Sequence, residues 1–226
     1  MANQHRLQLN HRLLSAFGLV APFLFLSTAI LGGALRPGYS HMAETVSELF
    51  SPGSPNRLLL TILHTLFALC LTFFGVGLLR FVQDTGRLKP IGMTAAVDFI
   101  LVGILNVLTA TVFPQDAWGS APTFHGQMHI AVSGIISVLS IIYMILFGVW
   151  LHRTRIAPFF LVYSIATVIG VVLAASWFMA SYGSPIMGIS ERVAIFAGFQ
   201  WTVLLAVVVL KNDRAHLQQN PHRGIA

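Results

Sequence analysis

Residues Gln127–Leu151 read QMHIAVSGIISVLSIIYMILFGVWL, with no Asp, Glu, Lys or Arg among them. About 20 helical residues, rising ~1.5 Å each, cross a ~30 Å hydrocarbon core. A stretch this long and uncharged is read as a membrane span. It must be helical, because lipid offers no partner to an open backbone N–H or C=O. Five more apolar runs have comparable length: Leu13–Leu35, Leu58–Val82, Ile91–Phe113, Ala157–Ala180 and Ser190–Leu210. The expected fold is therefore all-α, a polytopic bundle of six transmembrane helices over residues 13–210. Residues 1–12 are expected to form an N-terminal tail, and residues 211–226 a disordered C-terminal tail.

Composition points the same way. Only 9% of the 226 residues are charged and 56% are apolar, whereas a soluble domain carries about 25% charge. The formal charge of +6 comes from basic residues in short links between apolar runs. That placement is a topology signal, and it argues against a nucleic-acid partner. The single cysteine, Cys70, lies inside an apolar run and allows no intramolecular disulfide.

The basic residues set the expected orientation. Ten of them fall on one side: Arg6, Arg12, Arg80, Arg87, Lys89, Arg153, Arg155, Lys211, Arg214 and Arg223. Three fall on the other: Arg36, Arg57 and Arg192. Lys and Arg stay on the cytoplasmic side. The expectation is a multi-pass protein of the inner membrane with both termini cytoplasmic. The first run follows Arg6 and Arg12 as a signal peptide would. It is longer than a 7–15-residue signal core and no small-residue cleavage site follows, so it is expected to remain as helix one. Gly75, Gly77, Gly103, Gly134, Gly170 with Ala174, and Gly198 are suited to close helix packing in lipid.

The outer links hold the distinctive chemistry. Phe113–His129, FPQDAWGSAPTFHGQMH, contains Asp116, His125 and His129 and no Lys or Arg. The first outer loop, Arg36–Arg57, contains the turn signal Pro37-Gly38 and a capping box at Thr45–Glu48. Met42, Val46, Leu49 and Phe50 would share one helical face. A short amphipathic helix at the outer interface is expected there, ended by Ser51-Pro52-Gly53. Glu48 either serves only that cap, or joins His41 and Glu44 in a pocket with the 113–129 stretch. Ser190 is placed as the cap of helix six and Glu191 near its positive end. Arg192 would pair with Glu191, Glu48, Asp116 or a lipid phosphate.

Two sets of polar residues lie deeper. Asp98 is near mid-membrane, so it must face protein or water, or be protonated. Asn106, Thr109 and Thr94 are placed on its face, either as an interhelical hydrogen-bond stripe or as part of a proton-linked site. His64, Asp116, His125 and His129 would converge on the outer third of the bundle if helices two, three and four are neighbours. Imidazoles and a carboxylate suit zinc, with an i, i+4 histidine pair supplying two ligands. They also suit a hydrogen-bonded cluster or a proton sensor. The candidate pocket is thus His41, Ser47, Glu48, His64, Asp116, His125, His129, Glu191 and Arg192.

PGYS at Pro37–Ser40, VSEL at Val46–Leu49, FPQD at Phe113–Asp116, His129 and GISER at Gly188–Arg192 resemble the pattern of the family called domain of unknown function DUF998. The resemblance runs through nearly the whole chain and implies a six-helix bacterial or archaeal membrane protein. A looser likeness links Ser47, Asp116, His64, His125 and His129 to the ceramidase-like membrane hydrolases, which place a Ser, an Asp and three His around zinc but have seven spans. Three functions follow as expectations. One is a binding, sensing or structural role over a lipid or small-molecule ligand. Another is a zinc hydrolase at the outer leaflet, with Glu48 or Asp116 moving the proton. The last is a small proton-linked transporter using Asp98.

Overall fold

The computed structural model describes residues 2–219, with side chains described for 13–212. Six helices account for most of the chain: α1 (Ala2–Leu35), α2 (Arg57–Thr85), α3 (Lys89–Thr111), α4 (Phe124–Arg153), α5 (Phe160–Ala180) and α6 (Met187–Gln219). All six are long and apolar enough to cross a membrane. No strand occurs among the described residues. The helical backbone of α1 reaches back to Ala2 and that of α6 runs on to Gln219, across parts of both expected tails. The rest of the expected C-terminal tail, 220–226, lies outside the described residues.

Each helix packs on the next in sequence, and α1 closes against α6. The result is a ring of six helices filled by aromatic side chains. Phe25, Phe67 and Phe199 meet edge to face, with centroids 5.0–5.5 Å apart, joining α1, α2 and α6. Lower in the ring, Phe99, Tyr143 and Trp201 join α3, α4 and α6. Outward-facing Leu, Ile, Val and Phe remain exposed, as at Phe23, Leu58, Val162 and Leu173. That inversion fits lipid, which is no worse a solvent for them than the interior.

One end of the ring carries the three links 36–56, 112–123 and 181–186, and is called the loop end below. The other, the basic end, carries short links stitched to helix termini. Trp150 Nε1 donates to the Arg87 carbonyl at 3.0 Å, and Arg87 Nη1 donates to the Thr154 carbonyl at 3.1 Å.

Helix boundaries shift where turn chemistry decides them. Helix α6 begins at Met187, one turn before the expected Ser190. Pro185 lies just before it, where a missing N–H costs little. Ser190 therefore does not cap. Its hydroxyl donates to the Met187 carbonyl and pairs with Ser181 Oγ at 2.7 Å. Helix α4 starts at Phe124, capped by Thr123, whose Oγ accepts from Gly126 N at 3.1 Å.

The glycines divide sharply. A Cβ on Gly103 would lie 2.8 Å from the Thr72 backbone nitrogen, and one on Gly75 would meet Ile100. These two glycines let α2 and α3 approach closely. Gly134 and Gly170, expected in the same role, face open space. Gly103→Ala is expected to lower stability in detergent by about 1–3 kcal/mol through overpacking. Gly134→Ala should cost nothing. Thermal unfolding of the two variants side by side checks the contrast.

Candidate functional site

The first loop does not lie along the interface as an amphipathic helix. It makes one 3₁₀ turn, Ser47–Phe50, that tucks into the loop end against α1 and α2. Val46, Leu49 and Phe50 are buried as their spacing predicts, but Met42 is exposed. Burial of three apolar residues within five favours docking over lying flat. The capping box forms. Thr45 N donates to Glu48 Oε2 at 2.7 Å, and Glu48 N donates to Thr45 Oγ at 3.3 Å.

Arg192 holds this loop to α6. Its Nη1 donates to the carbonyls of His41, Glu44 and Gly188 at 2.8–2.9 Å. Its Nη2 donates to Tyr39 Oη at 2.6 Å and approaches His41 Nδ1 at 3.3 Å. The expected partners Glu48, Asp116 and Glu191 receive no hydrogen bond from it among the described residues. A guanidinium with five donors suits a ring of carbonyls better than one carboxylate. Tyr39 in turn donates to the Thr45 carbonyl at 2.7 Å. Its ring lies between two cations, with Arg36 and Arg192 at 5.6 and 5.8 Å from the centroid. Burial pushes the Tyr39 hydroxyl up to about 12, against the opposing pull of Arg192. It therefore stays a neutral donor across the physiological range.

Glu191 completes the junction from the same helix. Its carboxylate accepts from Val46 N at 2.6 Å and from Ser47 Oγ at 3.4 Å. Ile189 N donates to the Met42 carbonyl at 3.0 Å. On the other flank, Arg36 donates to the Glu48 carbonyl and lies 3.8 Å from the Glu44 carboxylate. His41, Ser47, Glu48, Glu191 and Arg192 thus come together in one hydrogen-bonded junction.

The 113–129 stretch forms a second junction. Asp116 accepts from both the amide and the hydroxyl of Thr123, at 2.8 and 2.7 Å. These bonds hold its carboxyl below the usual range, with the Thr123 amide the largest cause. The effect is present above the ordinary carboxylate range and fades as pH falls through the depressed value. Asp116 therefore orients the residue that caps α4. His129 Nδ1 donates to the Phe113 carbonyl at 2.8 Å, tying the start of α4 to the end of α3. His125 is exposed, against the rings of Phe113 and Phe124.

His64 stands between the two junctions. The rings of Phe25, Phe50 and Phe67 box it at 5.0–5.8 Å. It is buried, its Nδ1 has no hydrogen-bond partner, and His129 lies within electrostatic reach. Of the four candidate zinc ligands, Asp116 lies within electrostatic reach of His125 and His129, and His129 within reach of His64. Among the described residues, no three His, Cys, Asp or Glu side chains form a group that could hold a metal ion. Asp116 is committed to Thr123, and His129 to a backbone carbonyl.

Asp98 faces the ring interior near the middle of α3, and both its carboxyl oxygens are buried without a hydrogen bond. The expected interhelical stripe is absent. Asn106 donates to the Val102 carbonyl and Thr109 to the Asn106 carbonyl, both within α3. Thr94 is exposed. Asn106 and Thr109 satisfy themselves on their own helix, whereas Asp98 finds no hydrogen-bond partner among the described residues.

Tyr39 and Arg36 are the residues that sequence reasoning passed over. An aromatic inside a turn-forming PGYS, directly after a lone cation, was the available signal. Residues 19–208 match the family model described as "Protein of unknown function (DUF998)". Neither a curated protein nor a solved structure matches the chain.

Arg192→Ala is expected to lower stability by about 2–4 kcal/mol, because three carbonyls and the Tyr39 hydroxyl lose a charged donor. Arg192→Lys should recover only part of that, since an ammonium lacks the planar fork. Unfolding of both variants against wild type in the same detergent measures it.

Proposed function

We propose, for a chain that belongs to the DUF998 family, a binding or sensing role rather than catalysis. In this reading the first loop is a lid over the mouth of the helix ring. Beneath it, the aromatic box around His64 receives a small, largely apolar ligand with one hydrogen-bonding head. The observation that carries this reading is the His64 imidazole: buried, boxed by three phenylalanine rings, with Nδ1 unpartnered directly under Phe50 of the lid. A buried polar atom left open costs about 1–3 kcal/mol, and a ligand group that reaches it would recover that cost. Binding sites commonly combine an apolar wall with a few such groups.

The zinc hydrolase remains the other reading of the same residues. The geometry favours it less, since Asp116 is tied to Thr123 and no three candidate ligands form a metal-holding group among the described residues. The test uses protein purified in mild detergent and analysed by native mass spectrometry and metal content. A bound small molecule, retained by wild type and lost in His64→Phe, is the expected result. Stoichiometric zinc that disappears in both His125→Ala and His129→Ala would replace the binding reading with the hydrolase.

We also infer the orientation. Arg80, Arg87, Lys89, Arg153, Arg155 and Lys211 all belong to the basic end, which supports placing that end and both termini in the cytoplasm of an inner-membrane protein. Cys70 is buried and free, so Cys70→Ala gives a clean background for labelling. Ser40→Cys should react with an impermeant maleimide added to intact cells, and Arg155→Cys only after permeabilisation. The reverse pattern would invert the protein in the membrane.

A further inference from the structure

A groove of about 340 Å³ opens between the link that leads into α5 and the last apolar turns of α6. Ile156, Phe159, Leu204 and Val208 supply apolar wall, and Lys211 and Asn212 stand at one end. The apolar run of α6 ends at Leu210 and gives way to Lys211, Asn212, Asp213 and Arg214, a change of composition that sets Lys211 and Asn212 where acyl chains give way to headgroups. Lys211 is exposed and has no ion pair or hydrogen bond among the described residues. Arg155, two residues before Ala157 of the groove, is exposed as well. The groove therefore combines an apolar wall with a cationic end, at the end of the ring where basic residues collect.

We propose that this groove is a binding site for one anionic phospholipid, an acyl chain lying between the link before α5 and the end of α6, and the phosphate docked on Lys211 and Asn212. The charge argument selects the lipid. A zwitterionic lipid would fill the slot equally well but gain less from the lysine. A basic residue near a bilayer surface contributes about 1 kcal/mol toward an anionic headgroup. A free phosphate would meet the lysine but leave the slot empty. The site lies at the opposite end of the ring from the His64 box and does not depend on it.

Native mass spectrometry of the full chain, titrated with phosphatidylglycerol or phosphatidylcholine of matched chains, tests this. Phosphatidylglycerol should give one adduct that survives activation stripping phosphatidylcholine. Lys211→Glu should weaken that adduct on the order of tenfold, while Lys211→Arg keeps it. Val208→Trp, which fills the slot, should remove it, and His64→Phe should leave it unchanged. Soluble glycerol phosphate should not displace the lipid. Equal retention of the two lipids, an adduct indifferent to Lys211→Glu, or full displacement by glycerol phosphate would each overturn the proposal.

Discussion

The guanidinium of Arg192 is the point on which the loop end turns. It belongs to the first turns of α6, yet most of its acceptors belong to the loop after α1. Those two helices are the first and last of the chain, and they are also the pair that closes the ring. A charged donor near a low-dielectric region is costly unless several acceptors meet it. Here three carbonyls and a tyrosine oxygen do so. Glu191, one residue earlier, supplies the complementary acceptor for Val46. Adjacent residues of opposite charge thus take opposite halves of the loop's backbone.

The same logic explains why this end holds so many ionisable groups and so little reactive geometry. Carbonyls and amides of an irregular segment must be paired once the segment leaves water. Glu48 pairs Thr45, Glu191 pairs Val46, Asp116 pairs Thr123, and His129 pairs Phe113. Each of these acids and imidazoles does the work of a cap. His64 is the exception, enclosed by rings and left with an open nitrogen.

The bundle was legible because lipid imposes a simple rule on sequence. Gln127–Leu151 and its five counterparts are too long and too uncharged to be anything but spans, and the six helices follow. The capping box at Thr45–Glu48 was legible for a similar reason, since its two bonds join residues three apart. Arg192 was flagged as unusual, but its partners were assigned wrongly. Charge suggested a carboxylate, whereas the acceptors are carbonyls brought in from some 150 positions away, and periodicity cannot see those. The candidate zinc set shows the same limit. His125 and His129 share a helix face, but residue type does not reveal that Asp116 and His129 are already bonded locally. Gly134 was misread because composition cannot tell a glycine facing a neighbour from one facing lipid.

The central claim is that loop 36–56 is docked on α6 through side chains, and does not float at the membrane surface. Amide hydrogen exchange of the intact protein in lipid nanodiscs tests it most directly. The amides of Thr45 and Val46 belong to no regular helix, and their acceptors are the carboxylates of Glu48 and Glu191. Exchange as slow as that of neighbouring helix amides is the predicted result. Exchange at the rate of an unprotected surface loop would contradict the docked lid and the reading built on it.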